Sequence, residues 1–174
     1  MTKRYKTLVK LWVANDEQLI SATRTFLEEG MGAALGVLSE TTAYAERLST
    51  ASSELLENAR KFSPPQSLIG IEIGTNPKSL RLRIVNELAE SPQEVLNCVK
   101  RQIETIWAEA DAKEAFRRRV KDSLSVPGSK SMLGYAKIRM ETGAQIRARL
   151  TNLQKLEIAV WFWKTPEPPF VDSP

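Results

Sequence analysis

The chain contains no histidine and a single cysteine, Cys98, in 174 residues. Without histidine it cannot form a Ser-His-Asp triad, a histidine-ligated zinc site, a phosphohistidine relay or a Cys-His nucleophile pair. A lone cysteine cannot form an internal disulfide, and its apolar neighbours Leu96 and Val99 indicate a buried thiol on a helix. Any phosphate chemistry must therefore use hydroxyl and carboxylate groups.

Long apolar runs are also missing, so we expect no transmembrane helix. The basic residues near the N-terminus are not followed by the apolar block of a secretory signal, and we therefore expect a cytoplasmic protein. The length predicts a single domain over residues 1–165. Residues 166–174 are too rich in proline for regular structure and are predicted to be a mobile tail.

The net charge of +4 is mild, and the basic residues are spread along the chain. The one tight cluster, residues 117–119 followed by Lys121, has no interleaved aromatic residues and no known nucleic-acid motif. We therefore expect this cluster to be a solvated helix face or a patch for an acidic protein partner, and not a nucleic-acid site.

Alternating apolar residues predict strands at 7–13, 68–74, 80–85, 144–150 and 153–163. Helical character covers 16–63, with a break near Gly30 to Gly36, and then 92–122, with an interruption, and 132–141. Strands with one apolar face predict an α+β fold, a two-layer α/β sandwich with a mostly antiparallel sheet and helices on one face. The same alternation places Trp12, Trp161 and Trp163 on the other face, where they would cover the open sheet or contact a partner or a second copy in a homodimer.

The segment 53–63 sorts its side chains into two stripes when it is drawn as a helix. The polar stripe contains Glu54, Asn58 and Lys61, and the neighbouring stripe is apolar: Ala51, Leu55, Ala59 and Phe62. Amide and carboxylate oxygens suit Mg²⁺, and an ammonium suits a phosphate, so the polar stripe could hold a metal-bound polyphosphate. An ordinary solvated helix face, with Glu57 and Lys61 as an i,i+4 pair, explains the same pattern.

This helix, with its order Glu-x-x-x-Asn-Ala-x-Lys over 54–61, resembles the N box of the GHKL ATP-binding superfamily, which includes gyrase, MutL and histidine kinases. The order of strands and helices along the chain is similar as well. The resemblance implies a Bergerat-type fold that binds ATP and Mg²⁺. It implies that Asn58 ligates the metal, that Glu54 orients or deprotonates the nucleophile, and that Lys61 lies near the phosphates.

The segment 129–136 resembles the second glycine box of the same superfamily, a glycine-containing loop that leads into a helix. The resemblance implies nucleotide contacts from five residues of this region: Gly128, Ser129, Ser131, Leu133 and Gly134. Backbone N–H groups and the positive end of the helix dipole would face a triphosphate there. The small polar residues of 123–131 also predict a lid over the site.

The first glycine box departs from the superfamily pattern. Asn86 stands where the family has an aspartate that accepts a hydrogen bond from the adenine amino group, and an amide oxygen can still accept it. Both glycines of this box are missing from 86–90, so the loop cannot take the usual left-handed conformations. Nucleotide binding is therefore either atypical or lost.

Small size and the absence of histidine make the chain most similar to the anti-sigma-factor-type serine kinases and the SiaB-type protein kinases of this superfamily. That resemblance implies an ATP- and Mg²⁺-dependent serine/threonine protein kinase. Such an enzyme would act as a partner-switching regulator of a small antagonist or sigma-factor-like protein. The alternative is a non-catalytic binding module that keeps the fold and has lost the nucleotide.

Overall fold

The computed structural model describes residues 5–37, 42–125 and 133–163. Its strands are β1 (Lys6–Ala14), β2 (Leu68–Thr75), β3 (Ser79–Asn86), β4 (Gln145–Leu150) and β5 (Leu156–Trp163). Its helices are α1 (Glu17–Val37), α2 (Thr42–Phe62), α3 (Pro92–Ala108), α4 (Ala112–Ser125) and α5 (Leu133–Thr142). None of these described helices is long and apolar enough to cross a membrane.

The strands form one antiparallel sheet in the order β1-β2-β3-β5-β4. The predicted hairpin between β2 and β3 turns at Asn76, whose side-chain oxygen accepts hydrogen bonds of 2.8 Å from the backbone N–H groups of Lys78 and Ser79. An asparagine that bonds the backbone ahead of it in this way fixes a tight turn. The turn sets the register in which Ile71 lies opposite Ile84.

Only one face of the sheet is buried by helices, as the alternation predicts. Ile69, Ile71 and Ile73 of β2 are essentially inaccessible to solvent, whereas the residues between them point to the opposite face. The buried side chains of β3 and β5 continue this core: Leu80, Leu82, Ile84, Ile158, Val160 and Phe162. The fold is therefore the predicted α+β arrangement, a two-layer sandwich of one sheet and one helical layer.

The helix α2 lies at the centre of the helical layer. Leu48, Ala51 and Leu56 are fully buried, and the apolar stripe predicted from the sequence faces the same core. The predicted break near Gly30 to Gly36 is wrong, because α1 continues through Gly30, Gly32 and Gly36 to Val37. Glycine weakens a helix by about 1 kcal/mol. Packing of α1 on α2, with Ile20 and Leu27 buried, offsets that loss.

The open face of the sheet carries a network of ion pairs. Glu72 accepts hydrogen bonds from Arg81 at 2.8 Å and Arg83 at 3.0 Å, and Arg83 also donates to Glu157 at 2.6 Å. Arg149 donates to Glu157 from the neighbouring strand at 2.8 Å. Burial opposes the ionisation of Glu157, but the hydrogen bonds from Arg149 and Arg83 outweigh it and hold the pKa of Glu157 below its ordinary value.

The three tryptophans Trp12, Trp161 and Trp163 share this open face, as predicted. They do not form one cluster, however. Trp12 aligns across the sheet with Glu157, whereas Trp163 lies six residues further along β5, which is roughly 20 Å away in a strand. Trp161 contacts the guanidinium of Arg147, and only Trp12 of the three is more than half exposed.

We expect Glu157→Gln to destabilise the protein by about 2 kcal/mol at neutral pH, because two arginines lose their buried counter-charge. Because folding lowers the pKa of Glu157, its ionised carboxylate stabilises the folded state at pH values above its pKa in the unfolded chain, near 4.5. This contribution is lost as the pH falls through the pKa of Glu157 in the folded state. Urea unfolding should therefore show a difference between wild type and variant that shrinks below pH 4.5.

The matched control is Glu104→Gln, which changes an exposed carboxylate on α3. We expect its free energy of unfolding to stay within about 0.5 kcal/mol of the wild type. Equal stability of wild type and Glu157→Gln at neutral pH would show that the network does not stabilise the sheet.

Candidate functional site at the junction of two helices

The predicted site residues meet where the first turn of α5 packs on α2. Gly134 lies directly against the polar stripe of α2: a Cβ placed there would be 2.8 Å from Glu54 Oε2 and 3.3 Å from Asn58 Nδ2. A side chain at this position would have to displace the Glu54 carboxylate and would crowd Glu54 Cβ, which would be 3.2 Å away. Two motifs that lie about eighty residues apart in the sequence are thus brought into contact, with Gly134 on one side and Glu54 and Asn58 on the other.

Glu54 is held by a residue that the sequence analysis missed. Lys137, one turn after Gly134 on α5, donates to Glu54 Oε1 at 2.8 Å. This hydrogen bond outweighs the opposing effect of burial and raises the pKa of Lys137. The i,i+3 spacing of Gly134 and Lys137 on one helix face is the signal that could have pointed to Lys137.

The carboxylate of Glu54 also lies at the N-terminal turn of α5. Backbone N–H groups and the positive end of the helix dipole point toward this end of a helix, where they stabilise negative charge. Its Oε2 atom faces Gly134, while Oε1 accepts the hydrogen bond from Lys137. The structure therefore offers a partly exposed carboxylate with Oε1 bonded to Lys137 and Oε2 against Gly134 in the first turn of α5.

Asn58 borders a small cavity between the helices and the sheet. The amide nitrogen of Asn58 is buried and has no hydrogen-bond partner in the described residues. Asn86 and Tyr135 line the same cavity, whose volume is about 10 Å³. That is about the space of one water molecule, which could satisfy the amide. The rest of the lining is apolar, and the complete burial of Tyr135 raises its pKa.

Asn86, at the end of β3, is almost fully buried. Its amide nitrogen donates to Ser63 Oγ at 2.9 Å and to the backbone oxygen of Glu87 at 2.8 Å. These bonds tie the end of α2 to the end of β3. The nitrogen thus uses both of its hydrogens, and the amide oxygen is the atom of Asn86 that could accept the hydrogen bond that the resemblance implies.

Lys61 does not join this group. Its ammonium lies 3.5 Å from Glu57, one turn back on α2, and its side chain is half exposed. Arg60 holds the same carboxylate through two hydrogen bonds, which is the main reason that the pKa of Glu57 is lowered. Lys61 therefore forms the surface i,i+4 pair with Glu57 that the sequence analysis gave as the alternative to a phosphate contact.

The remaining predicted contacts are only partly described. Leu133 begins α5 and is half-buried. Gly128, Ser129 and Ser131 lie outside the described residues, as does most of the predicted lid at 123–131. The described residues contain no group of three or more histidine, cysteine, aspartate or glutamate side chains that could hold a metal. Mg²⁺ often uses only one or two protein ligands and keeps its waters, so the roles of Glu54 and Asn58 toward it stay predictions.

Comparison with known proteins identifies the fold alone. No protein-family model and no curated protein sequence matches the chain. Among solved structures, a chain in the crystal structure of the SiaB–SiaC complex from Pseudomonas aeruginosa is similar, with a TM-score of 0.63 and 16% sequence identity. The match covers 90% of both chains. The protein therefore shares the fold of a chain in that complex, and at this identity the match does not extend to function.

We expect Gly134→Ala to destabilise the protein by about 1–3 kcal/mol, because the new methyl group would overlap Glu54. This loss should exceed the gain of about 1 kcal/mol that alanine brings to a helix. Gly30→Ala is the control, since its Cβ would meet only the ring of Phe26, whose side chain is exposed and can move. Chemical unfolding should give opposite signs for the two variants, and a stabilised Gly134→Ala would contradict the described contact.

Proposed function

We propose that this chain is a partner-switching regulator that phosphorylates a serine or threonine of a small antagonist protein and uses ATP and Mg²⁺ to do so. The observation that carries the proposal is the contact of Gly134 with Glu54 and Asn58. This contact brings together the segment that resembles the N box and the segment that resembles the second glycine box. The fold shared with a chain of the SiaB–SiaC complex supports a regulator that binds a protein partner.

The phosphate end of such a site fits the side chains that are present. The carboxylate and amide oxygens of Glu54 and Asn58 are ligands or water-mediated contacts that suit Mg²⁺. The N-terminal turn of α5 supplies N–H donors for phosphate oxygens, and Lys137 adds a positive charge beside them. When bound, Mg-ATP supplies the transferable phosphoryl group and its charge neutralisation.

Within this proposal, Glu54 orients the acceptor hydroxyl and takes its proton. The bond from Lys137 to Oε1 fixes the carboxylate and leaves Oε2 to face the reacting groups at the start of α5. Asn58, on the next turn of α2, would hold the metal through its amide oxygen. Lys137 replaces Lys61 as the cation nearest to the carboxylate, because Lys61 is paired with Glu57.

The adenine end fits less well. The cavity between Asn58, Asn86 and Tyr135 measures about 10 Å³. Small-molecule sites commonly measure roughly 300–1,000 Å³. A base could enter only if this part of the structure opens, with Tyr135 moving out of the core. This observation favours the second candidate function, a non-catalytic partner-binding module of the same fold without a nucleotide.

Thermal unfolding with Mg-ATP separates the two functions. Binding to the folded state alone stabilises a protein by about 2.7 kcal/mol when the ligand is at one hundred times its dissociation constant. The kinase proposal predicts stabilisation by Mg-ATP that disappears when EDTA removes the metal. Calorimetry that detects no heat and no stabilisation at millimolar Mg-ATP would favour the binding module instead.

Variants at the two polar positions test the roles within the site. We expect Asn58→Ala to abolish the metal-dependent part of nucleotide binding, and Glu54→Gln to keep binding while lowering phosphoryl transfer by about a hundredfold or more. Both variants should fold, because the Glu54–Lys137 pair is partly exposed and such pairs contribute about 1 kcal/mol or less.

Asn97→Ala, which removes an exposed amide on α3, serves as the control for Asn58→Ala. Phosphate release and phosphate transferred to protein are measured for each variant, next to its Mg-ATP dissociation constant. If Glu54→Gln transfers phosphate at the wild-type rate, Glu54 is not the base.

A further inference from the structure

A groove of about 250 Å³ crosses the open face of the sheet, on the side away from the α2–α5 junction. Trp12 forms one wall, and its ring packs on β2 because Gly70 has no side chain: a Cβ at Gly70 would lie 2.5 Å from the indole. Half of the Trp12 surface remains exposed. The groove is therefore a shaped apolar surface whose wall is fixed by a close backbone contact.

The opposite wall is the turn between β4 and β5. Backbone hydrogen bonds from Thr151 to Lys155 and from Gln154 to Thr151 close this turn, and the Thr151 hydroxyl accepts a further bond from the Lys155 backbone N–H. The turn holds Leu153 out at the rim of the groove, with 78% of its surface exposed. Leu153 and Trp12 together give the groove two large exposed apolar side chains, and a cluster of this kind favours a contact surface where a single residue would not.

The charges around the groove are mostly positive. Lys10, Arg83 and Lys155 line it together with a single acid, Glu72. Glu72 lies opposite Lys10 in the sheet but directs its carboxylate to the arginines of β3, and no ion pair to Lys10 is present in the described residues. Arg83 is also paired with Glu157 and Lys155 with Glu87, so Lys10 carries the positive charge of the lining that is left without an ion pair among the described residues. This charge favours a negatively charged ligand.

The dimensions of the groove limit what can enter it. A helix with its side chains is about 10–12 Å wide, whereas a volume of about 250 Å³ accommodates one or two side chains. An extended segment alternates its side chains, so one can enter the groove while its neighbours reach the charged rim.

We propose that this groove binds an extended acidic segment of a partner protein, with one large apolar side chain of the segment between Trp12 and Leu153. This inference depends on the proposed function in one respect: the partner that supplies the segment is the protein that the chain would regulate. The site is separate from the α2–α5 junction and needs no nucleotide.

The test measures binding of a fluorescein-labelled peptide in which glutamate and leucine alternate, by fluorescence anisotropy and without nucleotide. We expect Leu153→Ser and Lys10→Glu each to weaken binding about tenfold, because the first removes an apolar wall and the second reverses the charge of the lysine that has no ion pair among the described residues. Leu19→Ser and Lys100→Glu make the same changes at exposed positions of α1 and α3 and should leave the dissociation constant within about twofold. Binding should also weaken as salt is added.

The opposite results assign the groove to something else. Absence of binding at millimolar peptide, or equal binding of a peptide in which lysine and leucine alternate, would overturn the proposal. Tighter binding of the peptide to Phe170→Ala would also overturn the proposal, because it would place the chain's own C-terminal segment in the groove. A homodimer that Leu153→Ser dissociates would overturn it as well. Because no nucleotide is present, a protein that fails to bind ATP can still bind this peptide, and the two proposals fail independently.

Discussion

The close packing of α5 on α2 at Gly134 is the contact on which the candidate site depends. Without a Cβ, the first turn of α5 lies directly over Glu54 and Asn58, and this places a helix N-terminus beside a carboxylate. Lys137 then reaches Glu54 from the next turn of the same helix. The missing side chain of Gly134 thus lets α5 pack closely on α2. This packing sets where the first turn of α5 and the ammonium of Lys137 lie relative to the Glu54 carboxylate.

The contacts of Glu54 with Gly134 and Lys137 can contribute both to the stability of the fold and to the binding of a ligand. An acid at a helix N-terminus with a lysine partner stabilises the junction of α2 and α5 even when no ligand is bound. The arrangement is also suited to polyphosphate, because a phosphate would face the same N–H groups and the same ammonium. The buried amide of Asn58 has no partner among the described residues, and a water molecule in the adjoining cavity could satisfy it.

Much of this architecture could be predicted from periodicity. Alternation of apolar residues located all five strands to within a few residues and identified the buried face, since each inward side chain had to be apolar. The helix break was misplaced at Gly30 to Gly36, because local glycine propensity is weaker than packing against α2. The partner of Glu54 was missed, since Lys137 reaches it through the packing of two helices distant in sequence, and only its i,i+3 spacing from Gly134 pointed to it. The size of the cavity near Asn86 likewise depends on how Tyr135 fills the core.

The central claim is that Mg-nucleotide binds where α5 meets α2. The most direct measurement is an NMR titration that follows the side-chain amide of Asn58 and the backbone amide of Gly134 as Mg-ATP is added, with and without EDTA. The account predicts saturable shifts of both signals that require the metal, accompanied by shifts of Tyr135 as the cavity opens. Unchanged signals at Asn58 and Gly134, with shifts elsewhere or none at all, would contradict it.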